Sequence, residues 1–438
     1  MAKKNTGKTS VWQSLRNMWK VKDIRKKLIY TFLMLVLFRL VSVIPAPGIN
    51  YEAAKAYMNS ASSNDGIFGL VNMMTGNSFS QMTIMAMGIT PYINSSIIMQ
   101  LLTIAIPALE RLQKSGPDGQ KKIAQITRYV TVGLAVIQAI GISASLRVIN
   151  PEWYNYVLVG VSMAGGTALA MWIGERITEK GIGNGISLLI FAGIISGLFN
   201  GFSSLIMEAI KGTTITPWLV LLGILLLALV MTVLITFVDM GVRRIQVQYA
   251  KRVAGRKMYG GMNSILPLKV VSVGVLPLIF AYSFMAFPST IIQIVGKGGE
   301  FAKWWARNMN QTSALYMIIT ALLIVAFTYF YSSISFQSDE MAKNIQQQGG
   351  VVPHVRPGRP TADFLKRTNG RLTLFAALFL AVLATLPNVV TALLLKSGKL
   401  DTQIPFAASS LLIAVSVVLE TKRQLDDQLV SRNYDTLF

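Results

Sequence analysis

A short stretch near the amino terminus carries the residues of a phosphate site. AKKNTGKT, Ala2 to Thr9, keeps the Gly-Lys-Thr of a phosphate-binding loop, with Ala2 where the first glycine would stand. Such a loop follows a buried strand and opens a helix, so that backbone N–H groups cradle the phosphates. This one begins at the second residue, so no nucleotide site is expected. Other chemistry is missing. The chain has no cysteine and one histidine, His354, which removes thiol catalysis, disulfides, thiolate metal sites and the paired histidines of a helical zinc protease. Carboxylates avoid the long apolar runs, Asp239 standing at the end of one, so an intramembrane acid pair is not available. The expectation is a protein with no catalytic residue, no cofactor and no metal. Arg39 is left inside an apolar run, and its default is to snorkel toward the outer surface.

Composition sets the elements that must hold these residues. Of 438 residues 53% are hydrophobic and 14% charged, the balance of a membrane protein. A helical span takes roughly 20 apolar residues, and backbone in lipid must satisfy its own hydrogen bonds. That window gives ten candidate helices, at about 28–44, 81–106, 124–147, 155–174, 183–207, 216–238, 270–295, 313–335, 372–395 and 403–419. Most of the 41 basic residues fall in the amino-terminal segment, alternate loops and the tail, which places both termini in the cytoplasm. Trp12 to Lys27 reads as a basic amphipathic helix on the inner surface. No small-residue cleavage site follows, so the first span is a retained anchor.

Two short patterns recur. GITPYI, Gly88 to Ile93 in the second span, is matched by GVLPLI, Gly274 to Ile279 in the seventh; SLLI occurs at Ser187 to Ile190 in the fifth span and again at Ser410 to Ile413 in the tenth. Corresponding members are five spans apart, the mark of a duplication whose second half is inverted. The expected fold is all-α and polytopic, with ten transmembrane helices in two inverted five-helix halves around a central pore. Ile89, Ile93 and Ile97 recur every fourth residue and make one helical stripe. Alone, that stripe would face lipid or a neighbouring helix; at the axis between two halves it faces a pore. A ring of branched aliphatic side chains resists water and ions by dewetting while binding nothing specifically.

At these residues the chain resembles the SecY family, from about Lys20 to Tyr434. The resemblance is strongest in MGITPYINSSIIMQLL (87–102), QKKIAQITRY (120–129), GGTALAMWIGERITEKGIGNGISLLIFAGI (165–194), RRIQVQYAKR (243–252), LPLKV (266–270), QQGGVVPHVRPGRPT (347–361) and QLVSRNY (428–434). It implies a protein-conducting channel that passes unfolded secretory chains across a bacterial inner membrane and releases membrane-protein helices sideways into lipid. Carried over residue by residue, the pore ring falls on Ile89, Ile93, Ile186, Ile190, Ile279 and Ile413. The lateral gate falls on Asn94, Ile97, Gln100 and Val275. The plug falls on GIFGLVNMMTG, with Gly66, Ile67, Phe68, Gly69, Leu70, Val71, Asn72, Met73 and Met74 at its centre. The implied organisation is a cytoplasmic segment 1–27, a first half 28–210 that includes the plug at 66–76, a second half 211–419 with cytoplasmic loops 239–269 and 336–371, and a cytoplasmic tail 420–438.

Both long loops are basic. Topology alone would account for most of their charge; loops of this length are also commonly functional, and these resemble the family's docking loops. Arg243, Arg244, Lys251, Arg252 and Arg356 are the implied contacts, pairing with acidic surfaces of the SecA motor ATPase or with phosphates of ribosomal RNA on a docked ribosome. Further partners implied are SecE and SecG as complex subunits, signal peptides, unfolded client polypeptides and membrane lipids. His354 stands where the family usually has Gly, Val271 where Asn commonly follows PLKV, and Ala407 and Ala408 where it has a Gly pair. A secondary transporter built on inverted repeats, or an insertase without a through-pore, would share much of this pattern.

Overall fold

The computed structural model describes residues 21–49, 75–76, 78–145, 152–211, 216–249, 252–254, 257–259, 263–272, 274, 276–295, 299–309, 313–396 and 408–435. Thirteen helices are described: α1 (Lys22–Val41), α2 (Thr90–Ala105), α3 (Pro107–Lys114), α4 (Pro117–Ser145), α5 (Trp153–Lys180), α6 (Gly185–Lys211), α7 (Thr216–Asp239), α8 (Leu276–Val295), α9 (Glu300–Asn308), α10 (Ala314–Ser335), α11 (Ser338–Gln347), α12 (Arg359–Lys396) and α13 (Ala408–Asp435). Among the described residues six helices are long and apolar enough to cross a membrane, or seven if α2 and α3 count as one broken span. The chain is thus a mostly helical multi-pass membrane protein. Five strands, β1 (Val242–Tyr249), β2 (Arg252–Ala254), β3 (Lys257–Tyr259), β4 (Asn263–Lys269) and β5 (Gly350–Val351), lie outside the spans.

The second span begins later than its expected bound and ends where expected, at a sharp bend. Residues 81–89 are turns, with Ala46 N–H donating to the Met82 carbonyl and Ile84 N–H to that of Ile44. Phe79, Met82, Ala86 and Met87 pack there with Val159 and Met163 of α5. At the other end Pro107 opens α3 after an extended Ile106, because a proline excludes the helical conformation from the residue before it. The axis turns by 102° at that break. On the far side Glu110 accepts a hydrogen bond from Lys114 at 2.7 Å, which holds its carboxyl below the ordinary range.

The chain divides into two compact units: the described residues before Asn200 together with those from Val417 on, and Asn200–Ser416. In the first, Ile24 of α1, Ile182 and Leu425 of α13 form one apolar cluster. Thr31 accepts the Ile182 N–H at 3.1 Å, fixing the turn that enters α6. In the second, Met231, Ile235, Val271, Leu278, Ile324, Leu380 and Leu412 make a core shared by α7, α8, α10, α12 and the start of α13. Ser332 on α10 bonds to Thr373 at 2.8 Å and accepts from Asn369 at 2.9 Å, both on α12, so these three buried side chains satisfy one another.

Candidate functional site

Local backbone chemistry positions the aliphatic residues. Gly88 and Gly274 both adopt left-handed φ, +51° and +64°, where a Cβ is disfavoured. Each stands two residues before a helix whose second residue is proline, Pro91 in α2 and Pro277 in α8, a position where the missing N–H has no intrahelical partner to lose. The paired motifs therefore build the same turn into a helix, one in each unit. Ile89 is the N-cap of α2, and its carbonyl accepts the Ile93 N–H at 3.0 Å. The stripe thus survives although its first member precedes the helix. In α6 the register comes from Asn184, whose side-chain oxygen accepts the N–H groups of Ile186 at 3.1 Å and Ser187 at 3.3 Å. This is an N-cap, and it sets Ile186 and Ile190 one turn apart.

In the first unit these residues meet. Ile89, Ile93, Leu189 and Ile190, with Phe38, Thr75, Gly88 and Thr90, line a cavity of about 10 Å³, the least that holds one water. None of the eight is ionisable. Ile186 packs instead against Gly174 of α5. In the second unit Ile279 and Ile413 are likewise buried. Of the residues expected at a lateral gate, Asn94 is buried, and its side-chain oxygen has no hydrogen-bond partner among the described residues. Ile97 and Gln100 are half-buried. Val275, Lys251 and the expected plug residues Gly66 to Met74 lie outside the described residues, although Thr75 and Gly76, which end the expected segment, lie within them.

The two long loops belong to a single body in the second unit. β1 pairs antiparallel with β4 on one side and β5 on the other. Ile245, Val247 and Leu268 of the first loop share an apolar core with Ile345, Val352 and Leu365 of the second. Arg243 and Arg244 are exposed on β1, and Arg252 begins β2. Arg356 is exposed at the tip of the second loop, where its carbonyl accepts the Thr361 hydroxyl at 2.8 Å and that of Gly358 accepts the Thr361 N–H at 3.1 Å. His354 beside it is exposed with φ +64°, the conformation a glycine would hold without strain. The sheet is absent from the span reading, yet its signal is in the sequence: Ile245, Val247 and Tyr249 alternate with Arg244, Gln246 and Gln248, the period of a half-buried strand.

Comparison with known proteins decides the family. The SecY family model matches residues 83–422. The chain belongs to the SecY family. A SecY protein translocase subunit of Streptomyces scabiei is 40% identical over 432 residues, covering 95% of this chain and 97% of its own. That of Corynebacterium glutamicum is 39% identical with the same coverage. Among solved structures, a protein-conducting channel matches with a TM-score of 0.68 at 20% identity over 92% of both chains. The channel of a canine ribosome–channel complex from the endoplasmic reticulum matches at 0.65 and 18%, again over 92% of both. At those identities the likeness is one of fold, and the fold is that of the SecY channels.

Proposed function

We propose that this chain is the channel subunit of a bacterial Sec translocon, seated in the inner membrane with both termini in the cytoplasm. It passes unfolded secretory proteins across the bilayer and releases membrane-protein helices laterally. The residues we assign to the constriction are Ile89, Ile93, Ile186, Ile190, Ile279 and Ile413. Asn94, Ile97, Gln100 and Val275 line the sideways exit, and the 66–76 segment is the plug. The observation that carries this reading is the water-sized cavity walled by Ile89, Ile93 and Ile190 without an ionisable side chain. A dry aliphatic constriction closes to ions by dewetting, yet parts for a chain of any sequence.

The chain supplies no energy of its own. The sheet that joins Arg243 and Arg244 on β1 to the loop bearing Arg356, together with Arg252 on the separate β2–β3 hairpin, is the platform for a partner, either the SecA motor ATPase or a ribosome. SecE and SecG complete the complex. The test is reconstitution in liposomes with those partners and a soluble preprotein. ATP-dependent protection of the preprotein from added protease is expected. Insertion of membrane proteins without lumenal protection would favour an insertase, and ion-coupled uptake of a small solute by this chain alone would favour a transporter.

A further inference from the structure

Arg39, near the carboxyl end of α1, does not extend toward water. Its Nη2 donates to the Ala192 carbonyl of α6 at 2.7 Å. The guanidinium also lies against Gly76: a Cβ built there would stand 2.5 Å from Nη2 and 2.6 Å from Nη1, closer than such atoms ever pack. Gly76 has φ +65°, so the position favours glycine for its backbone as well as for its space. On either side of these contacts lie walls of the cavity. Phe38 precedes Arg39, Thr75 precedes Gly76, and Ile190 lies half a turn before Ala192; all three face the same space as Ile89 and Ile93. The Arg39 carbonyl accepts the Ser42 hydroxyl at 2.7 Å, and Ser78 donates to the Ser42 carbonyl at 3.3 Å. One cation therefore joins α1, the segment at Gly76 and α6. Taking a guanidinium out of water is costly unless it is hydrogen-bonded, so it holds its partners as firmly as they hold it.

We propose that Arg39 is a positioning residue that latches the closed channel: it clamps the Thr75–Gly76 step and α6 against the isoleucines leading into α2, and opening requires that clamp to release. The inference rests on the channel reading. It is tested through the absence of native cysteine. Thr75→Cys gives one thiol at a position 5% exposed, and its alkylation by a water-soluble maleimide, in the full chain in liposomes, reports release. Arg39→Met should speed alkylation about tenfold, in line with the loss of one charge-assisted hydrogen bond, and Arg39→Lys should fall between. Gly76→Ala should also speed it, and adding Arg39→Met to Gly76→Ala should add little, because both remove the same contact. A thiol at Val247, buried in the cytoplasmic sheet, should keep its rate throughout. An unchanged Thr75→Cys rate in Arg39→Met, multiplying effects in the double variant, or an equal rise at Val247→Cys would each overturn the latch. Resting ion conductance separates the two readings. A leak in Ile93→Asn but none in Arg39→Met overturns the latch alone, whereas no leak in either overturns the channel reading and the latch with it.

Discussion

Replacing Ile93 by Asn puts an amide into a wall that holds almost no space. Ile93 and Ile89 are 8% and 6% exposed, and the cavity they border is about 10 Å³. Burying an isoleucine is worth about 1.5–3 kcal/mol, and a buried amide without partners costs about 1–3 kcal/mol. Water entering the constriction relieves the second term and makes the first irrelevant. Sharing the wall with other aliphatic residues reduces the combined effect, which we take as about 2–3 kcal/mol toward the wet state, or about 30- to 150-fold in resting open probability. The assay is ion conductance of the reconstituted channel in a planar bilayer with no client present, beside export of a preprotein with a weakened signal sequence. Ile93→Asn should leak and should accept the weak signal, and Ile93→Leu should remain tight, since it keeps the apolar wall. A tight Ile93→Asn with unaltered signal selectivity would refute the dewetting argument.

Four further outcomes are expected. Arg356→Glu should block motor-dependent translocation while sparing membrane insertion, because an exposed Arg at a fixed tip offers planar multidentate donors; Arg359→Glu, at the exposed first residue of α12, should retain transport, and the reverse result would move the docking contact. The purified chain alone should hydrolyse no ATP, and Lys8→Ala should leave motor-driven transport intact; its loss with motor binding preserved would reinstate the AKKNTGKT stretch as a nucleotide site. His354→Gly should keep motor coupling and make the loop tip more resistant to protease, relieving about 1 kcal/mol of left-handed strain; faster nicking would count against that strain. Asn184→Ala should cost about 1 kcal/mol through the lost N-cap of α6, read as a lower thermal midpoint in detergent, and an unchanged midpoint would show that the two N–H groups find other partners.

What was legible in the sequence was mostly local. The Gly-x-x-Pro pairs at Gly88 and Gly274 announce two corresponding helix starts because glycine and proline carry their conformations with them. The aliphatic positions around Ile93 and Ile190 are legible as a stripe and as repeated motifs whose second copies end on Ile279 and Ile413, and the family resemblance adds Ile186. The span window ends at the Pro107 break, but the short helix beyond it and the 102° bend are not legible, since the apolar run stops there. The sheet of β1, β4 and β5 escapes a span-length window because its period-2 pattern is only eight residues long. Arg39 departs from its expected course for a different reason. Snorkelling is the sound default for an arginine near the end of an apolar run, and its actual partner, a backbone carbonyl 153 positions away, leaves no trace in side-chain identity.

The central claim is that a client passes through the aliphatic constriction. Because the chain has no native cysteine, single thiols at Ile93, Ile190, Ile279 and Ile413 can be paired with one thiol in a preprotein arrested midway by a folded carboxyl-terminal domain. Disulfide formation should occur at all four positions, and should fail at Leu101 and Phe237, which lie exposed on apolar helices. Equal crosslinking at the exposed positions, or none at the four isoleucines while the preprotein is held across the bilayer, would contradict the account.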